Sequence, residues 1–347
     1  MFLTCGAASA APRVVDLDGL RSRHVDIAAG VRLADAGAVI AATIERRGAL
    51  RAAVVRLRHD GTVVERFGRG GVTLAGPRGA TALAVTSDAP GRRIVVALRG
   101  PHGRLRLIGV DRRGRRRTGF GRHGARVLGP AEPTALAADA ARVAVAHGSS
   151  LALLDARSGE TLAAASAQGC LTPRTAQLAG GRLIVAGDAA SCHPAIDVYD
   201  AATLAPAGAA PVDGARALAL ALPGEDTLCL AEQDGAQVRA RRADPARLLS
   251  GDPFAGTPAL GAADTLTSLA PDPRGGCNLL LARPGSGGGR VVQTERGGDV
   301  AMVTTLPQRF RPRVVFVCRR HVLAAGVRRS GGRRVGALAV VERHGHG

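Results

Sequence analysis

The apolar positions of this chain fall in short runs of four to eight residues, rich in Val, Leu and Ala and bounded by Gly, Pro, Asp and Ser. Runs begin near Val39, Ile94, Val143, Leu183, Leu228, Leu279 and Val322, at spacings of 55, 49, 40, 45, 51 and 43 residues. Each is followed by a loop and a second run, as in residues 143–154, and most are preceded by another, as at 82–86, 217–222, 266–270 and 314–317. Runs this short, with turn-forming borders, predict strands rather than helices. Residues 134–146 (TALAADAARVAVA) have helical propensity, but the repeat frame puts a turn at Asp139 and so predicts two strands there.

The pattern repeats. Residues 39–76 and 94–129 each show an apolar run, a Gly-containing loop, a second run, a polar turn and a short arm. Phe67 and Phe120 lie 53 residues apart, as do the turn glycines Gly61 and Gly114. A single small sheet cannot cover both of its faces, so such units must stack around an axis. The expected fold is therefore all-β: a single β-propeller, read as seven four-stranded blades, with six or eight as alternatives. A β-sandwich pair fits less well, because the period persists from end to end. The last unit supplies strands at 314–317, 322–327 and 335–341 but lacks a fourth, while residues 13–17 (RVVDL) form a spare strand at the other end. We expect that strand to pair with 335–341 and hide an open sheet edge. The chain thus divides into residues 1–11, a signal-peptide remnant or disordered tail, and residues 12–347, the propeller domain.

Asp60-Gly61 followed by Phe67-Gly68-x-x-Gly71, and Arg112-Arg113-Gly114 followed by Phe120-Gly121-x-x-Gly124, resemble the bacterial delta-60 repeat. The resemblance covers two units, the later ones having lost the Phe-Gly signature. It implies a propeller-like repeat fold, often in exported proteins, with no assigned chemistry.

Composition sharpens this picture. The 347 residues carry 47 basic and 28 acidic side chains, every basic one an arginine, for a net charge of +19. A hydrophobic content of 46% argues against disorder, and no run of 18 apolar residues could span a bilayer. Ala8-Ser9-Ala10 near the N-terminus looks like the small-residue end of a secretory signal, which predicts an extracellular or cell-surface protein; a cytoplasmic one is the alternative. The charge is uneven: +14 over residues 1–150, −3 over 151–250 and +8 over 251–347. Ring closure would make the two basic ends neighbours. Arg112, Arg113, Arg115, Arg116 and Arg117 cluster on a predicted outer hairpin, and Arg319 and Arg320 extend the basic side. These are candidate polyanion contacts, with a solvated arginine surface as the plain alternative. Trp is absent and only one Tyr and six Phe occur, so single-strand nucleic-acid stacking and sugar stacking lose support.

None of the six cysteines forms a Cys-x-x-Cys pair, so a zinc ribbon or dithiol redox site is not expected. Cys170 and Cys192 are the first disulfide candidate, and Cys229, inside an apolar run, reads as a buried small hydrophobe. A Cys277–Cys318 bridge has no support from spacing. His102, His147 and His193 fall in equivalent loops of separate units, too dispersed for a metal site. Gly119 to Gly124 matches Gly-x-Gly-x-x-Gly but coincides with the repeat signature, so it does not predict nucleotide binding. No catalytic motif or cofactor is expected. The reading is of a non-catalytic, exported binding scaffold, monomeric, with a protein or anionic polymer as partner. A propeller hydrolase or lactonase with an axial-funnel site, and a polyanion-binding protein, are the alternatives.

Overall fold

The structure, a computed structural model, describes residues 12–88, 91–130, 134–167, 171–188, 196–210, 216–221, 227–250, 253–261, 264–284, 287–330 and 332–343. Strand β1 spans Arg13–Ser22. A first unit follows: β2 (Val25–Arg32), β3 (Ala38–Arg46), β4 (Ala49–Leu57) and β5 (Val72–Ala75). The second holds β6 (Thr81–Ser87), β7 (Arg93–Arg99), β8 (Arg104–Asp111) and β9 (Ala125–Pro130). The third holds β10 (Thr134–Ala138), β11 (Arg142–His147), β12 (Ser150–Asp155) and β13 (Thr161–Ser166). The fourth holds β14 (Thr172–Ala179), β15 (Arg182–Asp188), β16 (Ile196–Asp200) and β17 (Pro206–Ala209). The fifth holds β18 (Arg216–Ala221), β19 (Leu228–Asp234), β20 (Gln237–Ala243) and the short β21 (Leu260–Gly261). The sixth holds β22 (Thr265–Pro271), β23 (Cys277–Ala282), β24 (Gly289–Thr294) and β25 (Val300–Leu306). Last come β26 (Phe310–Val317), β27 (His321–Ser330) and β28 (Arg333–Glu342).

Within each unit the strands pair antiparallel in chain order. The fourth and fifth units form one eight-stranded sheet through the backbone pair Asp188↔Arg216. The first strand of every unit touches the first strand of the next, from β2 through β6, β10, β14, β18, β22 and β26 back to β2, so the first strands close a ring. β1 completes the last unit by pairing with β28, Arg13 opposite Val340 and Val15 opposite Leu338, as the spare N-terminal strand predicts. The region that propensity would make helical is two strands with the turn at Asp139, whose Oδ1 accepts the amides of Ala141 and Arg142 at 2.8 and 2.7 Å. Backbone turn chemistry and the sheet decide there against local helix propensity.

Second strands are buried on both faces, which is why β3 reads AVIAATI without polar alternation. Outer strands alternate, as in the half-exposed TLAAAS of β13. The apolar core is accordingly divided into clusters between adjoining sheets rather than gathered at one centre. Phe67 and Phe120, both fully buried, are wedges of this kind, one between the first two units and one between the second and third. Each contributes about 1.5–3 kcal/mol of transfer free energy. The glycine that follows each wedge fastens the next unit: the Gly68 amide donates to the Arg113 carbonyl at 2.7 Å and the Gly121 amide to that of Ser158 at 2.6 Å. Both glycines sit at φ near +60°, a conformation an L side chain would strain. The Phe-Gly signature is thus a device for docking one unit on its neighbour.

One reading from composition is corrected. Cys229 is buried as expected of a small hydrophobe, but it is disulfide-bonded to Cys277 in the next unit, with a Cα–Cα distance of 5.8 Å. The two cysteines lie 48 residues apart, about one repeat, so they occupy corresponding places on neighbouring second strands. Cys318 is a free, buried thiol, which excludes the Cys277–Cys318 bridge. Cys170 and Cys192 lie outside the described residues, as does the N-terminal segment 1–11.

Candidate functional site

First strands are not regular. Register shifts interrupt β2, β6, β14, β22 and β26 shortly after each begins. The residues left unpaired at these bulges are Ala28, Leu83, Arg174, Thr267 and Arg313. A bulge adds a residue that cannot join the ladder, and it turns that side chain away from the sheet plane. In β14 and β26 the residue before the bulged arginine is proline, Pro173 and Pro312, which has no amide to contribute to the ladder. Around the starts of the first strands the ring is therefore apolar on one side, at Ala28 and Leu83, and basic or polar on the other.

On the basic side a cavity of about 310 Å³ opens at this end of the axis, lined by Arg174, Arg216, Arg283, Arg311 and Arg313. Among the described residues, none that lines it is acidic or aromatic. Part of its lining is apolar, from Leu218 of β18, Leu266 of β22, Pro312 of β26, and Ala282 and Pro284 at the β23–β24 turn, beside Thr265, Thr267, Gly287 and Gly288.

Three carboxylates pair with these arginines, two of the arginines firmly and two loosely. Asp188 is shared: its Oδ2 accepts from Nε and Nη2 of Arg174 at 2.9 and 2.6 Å, and its Oδ1 from Nε of Arg216 at 2.7 Å. Arg216 Nη1 also donates to the Leu266 carbonyl at 3.0 Å, so one side chain ties the fourth, fifth and sixth units together. Asp264 is buried and receives Arg290 at 3.1 Å and Arg283 at 3.7 Å. Asp26 faces Arg313 at 3.6 Å. Charge-assisted contacts below about 3 Å are firm, whereas half-exposed pairs near 3.7 Å are weak and exchange readily. Arg174 and Arg216 are thus fixed, and Arg283 and Arg313 can turn to a new anion.

The arginines singled out from sequence lie elsewhere. Arg112, Arg113, Arg115 and Arg116 are exposed on the β8–β9 connection. Arg117 is half-buried there, donating to the carbonyls of Ala156 and Arg157 at 3.0 and 3.1 Å, with its guanidinium 5.9 Å from the Phe120 ring centre. Burial, and then Arg93, lower its pKa. Arg117 is a clamp between units as much as a surface charge. Arg319 and Arg320 are exposed on the β26–β27 turn. Arg319 lines a second cavity, of about 340 Å³, with Arg32, Asp35 and Arg343, where the first strands end. None of Arg112 to Arg117 lines either cavity. Arg56 links the two sequence clusters: it donates to the Arg112 carbonyl at 3.2 Å and pairs with Asp35, which lines the second cavity, at 3.0 Å.

His102 is exposed on the β7–β8 turn, His147 is buried at the end of β11, and His193 lies outside the described residues. Among the described residues no group of three or more His, Cys, Asp or Glu is placed to hold a metal ion. No helix of the described residues is long and apolar enough to cross a membrane. Segment-by-segment charge hid the basic mouth, because Arg174 and Arg216 belong to the stretch whose net charge is −3. A finer signal was present: Pro-Arg opens two of the inner runs, at 173–174 and 312–313.

No known family model matches the sequence, and no curated protein matches it. Solved structures do. A chain of the mitotic checkpoint complex is similar over 98% of this chain and 95% of its own length, at 13% identity and a TM-score of 0.63. The β-propeller domain of Cps50 (Swd1) from Myceliophteria thermophila is similar over 95% of this chain and 99% of its own, at 12% identity and a TM-score of 0.61. At such identities the likeness speaks for architecture alone, and that architecture is the β-propeller.

Proposed function

We propose that this chain is a non-catalytic, exported seven-bladed propeller that serves as a binding scaffold and takes an anionic partner at its arginine-lined mouth. The observation that carries the reading is the convergence of Arg174, Arg216, Arg283, Arg311 and Arg313 on one cavity, with no carboxylate among its described lining residues. Clustered arginines at a concave, partly desolvated opening attract anions more strongly than the same charges spread over a convex surface. The buried Cys229–Cys277 bond supports export, since such bonds persist in oxidising compartments. The matching roles of Phe67-Gly68 and Phe120-Gly121 support reading the units as divergent delta-60-type repeats.

The test is fluorescence anisotropy with a labelled polyglutamate. Reversing two mouth charges, Arg174→Glu with Arg313→Glu, should lower affinity about tenfold or more. Neutralising Arg112, Arg113, Arg115 and Arg116 on the outer hairpin should lower it far less. The opposite ranking would move the anion contact from the mouth to the hairpin and overturn the proposal.

A further inference from the structure

We infer that the mouth takes an acidic peptide segment that presents an apolar side chain between its carboxylates, not a nucleic acid or a polyphosphate. This rests on the reading of the mouth as an anion site and names its partner class.

Size argues first. A cavity of about 310 Å³ is at the lower limit of small-ligand pockets, room for one or two side chains and not for a stretch of polymer. Its lining argues next. Ala282 and Pro284, with the largely buried Leu218, Leu266 and Pro312, give part of the cavity wall an apolar face that a Leu-sized group can cover, beside the polar Thr265 and Thr267. The rim supplies the flanking charge. Arg283 and Arg313 are 46% and 52% exposed and only loosely engaged, at 3.7 and 3.6 Å from Asp264 and Asp26. Each can present two parallel N–H groups to an incoming carboxylate. Asp26, Asp188 and Asp264, set among the arginines, repel a continuous row of phosphates but leave room for isolated carboxylates between them. Finally, no aromatic ring lines the opening among the described residues, so a single strand would find no surface there on which to stack its bases.

Three labelled ligands of equal net charge separate the possibilities at an ionic strength of about 0.15 M. One is a Glu-rich peptide with a central Leu, the second has Gln in place of that Leu, and the third is a single-stranded deoxyoligonucleotide. The Leu peptide should bind about tenfold tighter than the Gln peptide, the gain from burying one aliphatic side chain, and the oligonucleotide more weakly than either. The Arg283→Glu, Arg313→Glu double variant, at two exposed positions, should lose both peptides. Equal affinity for the two peptides, or a preference for the oligonucleotide, would overturn the partner class while the anion site stands. Failure of all three ligands to bind, or unchanged binding to the double variant, would overturn the anion site and this inference with it.

Discussion

Asp197 on β16 is buried, and burial pushes its carboxyl up to about 6, against the opposing pull of the Tyr199 hydroxyl 3.2 Å away. The folded chain therefore prefers this acid protonated. Its contribution to stability is fully present below the ordinary carboxyl value of 3.8 and is lost as the pH rises through 6. The turn aspartates behave in the opposite way. Asp60, held by the Thr62 hydroxyl, and Asp200, held by the Thr203 amide, lie below the ordinary value, so their contribution is lost on acidification. Urea denaturation of the wild type and of Asp197→Asn, compared at successive pH values, isolates the buried acid. The variant should be more stable at pH 7 by on the order of 2 kcal/mol, with the difference shrinking to nothing by about pH 4. A difference that stayed constant with pH would show that burial does not raise the Asp197 carboxyl above its unfolded value. The turn at Asp139 was legible in the chain because an aspartate between two apolar runs has a local role. Asp197 was not, because its neighbours Ile196 and Val198 give no sign of which face the sheet will bury.

At the scale of the strand, runs and borders revealed every described second strand, since the starts of the seven apolar runs predicted in the chain fall one on each. What they did not reveal was register. A run of Val, Leu and Ala looks the same with or without a bulge, so the residues that bulges turn out, Arg174 and Arg313, could not be told from ordinary strand arginines. The same holds for the disulfide. Cys229 and Cys277 sit one repeat apart, and that spacing marks them as neighbours only once successive units are known to stack. The short 3₁₀ helix Pro245–Arg247, capped by Asp244, also escapes the repeat frame, because it lies in the connection that precedes the two-residue β21. The disulfide closes a 48-residue separation, and in the chain-entropy account a loop of that size stabilises by about 3–4 kcal/mol. Replacing both cysteines, Cys229→Ser with Cys277→Ser, should cost that amount in a denaturant titration against the oxidised wild type. A loss below about 1 kcal/mol would mean that the stacked sheets restrain the two strands without the bond.

Across the whole molecule, the step that turns a row of sheets into a ring is the return of β1 to β28. The last unit has only three strands of its own, so without β1 the β28 ladder would end in unpaired amides and carbonyls along an apolar strand, VGALAVV. The closure is also where the +14 and +8 segments of the chain meet, so it forms against electrostatic repulsion. Two contacts work against that repulsion. The Asp16 carboxylate of β1 receives both Nε and Nη2 of Arg328 on β27, a pairing of residues 312 apart in sequence. Leu17 and Leu20 are buried in the cluster shared by the last and first units. Backbone pairing and apolar burial dominate, because the Asp16–Arg328 pair is only partly buried and such pairs contribute about 0–1 kcal/mol. The consequence is measurable. Deleting residues 1–22 should expose the β28 edge, and size-exclusion chromatography should show oligomers or aggregate where the full chain gives a single species. Asp16→Ala alone should leave the elution unchanged. If the deleted chain eluted as one species of its own size with unaltered thermal stability, the ring would be closed by the first-strand contact of β26 with β2, and β1 would be dispensable to it.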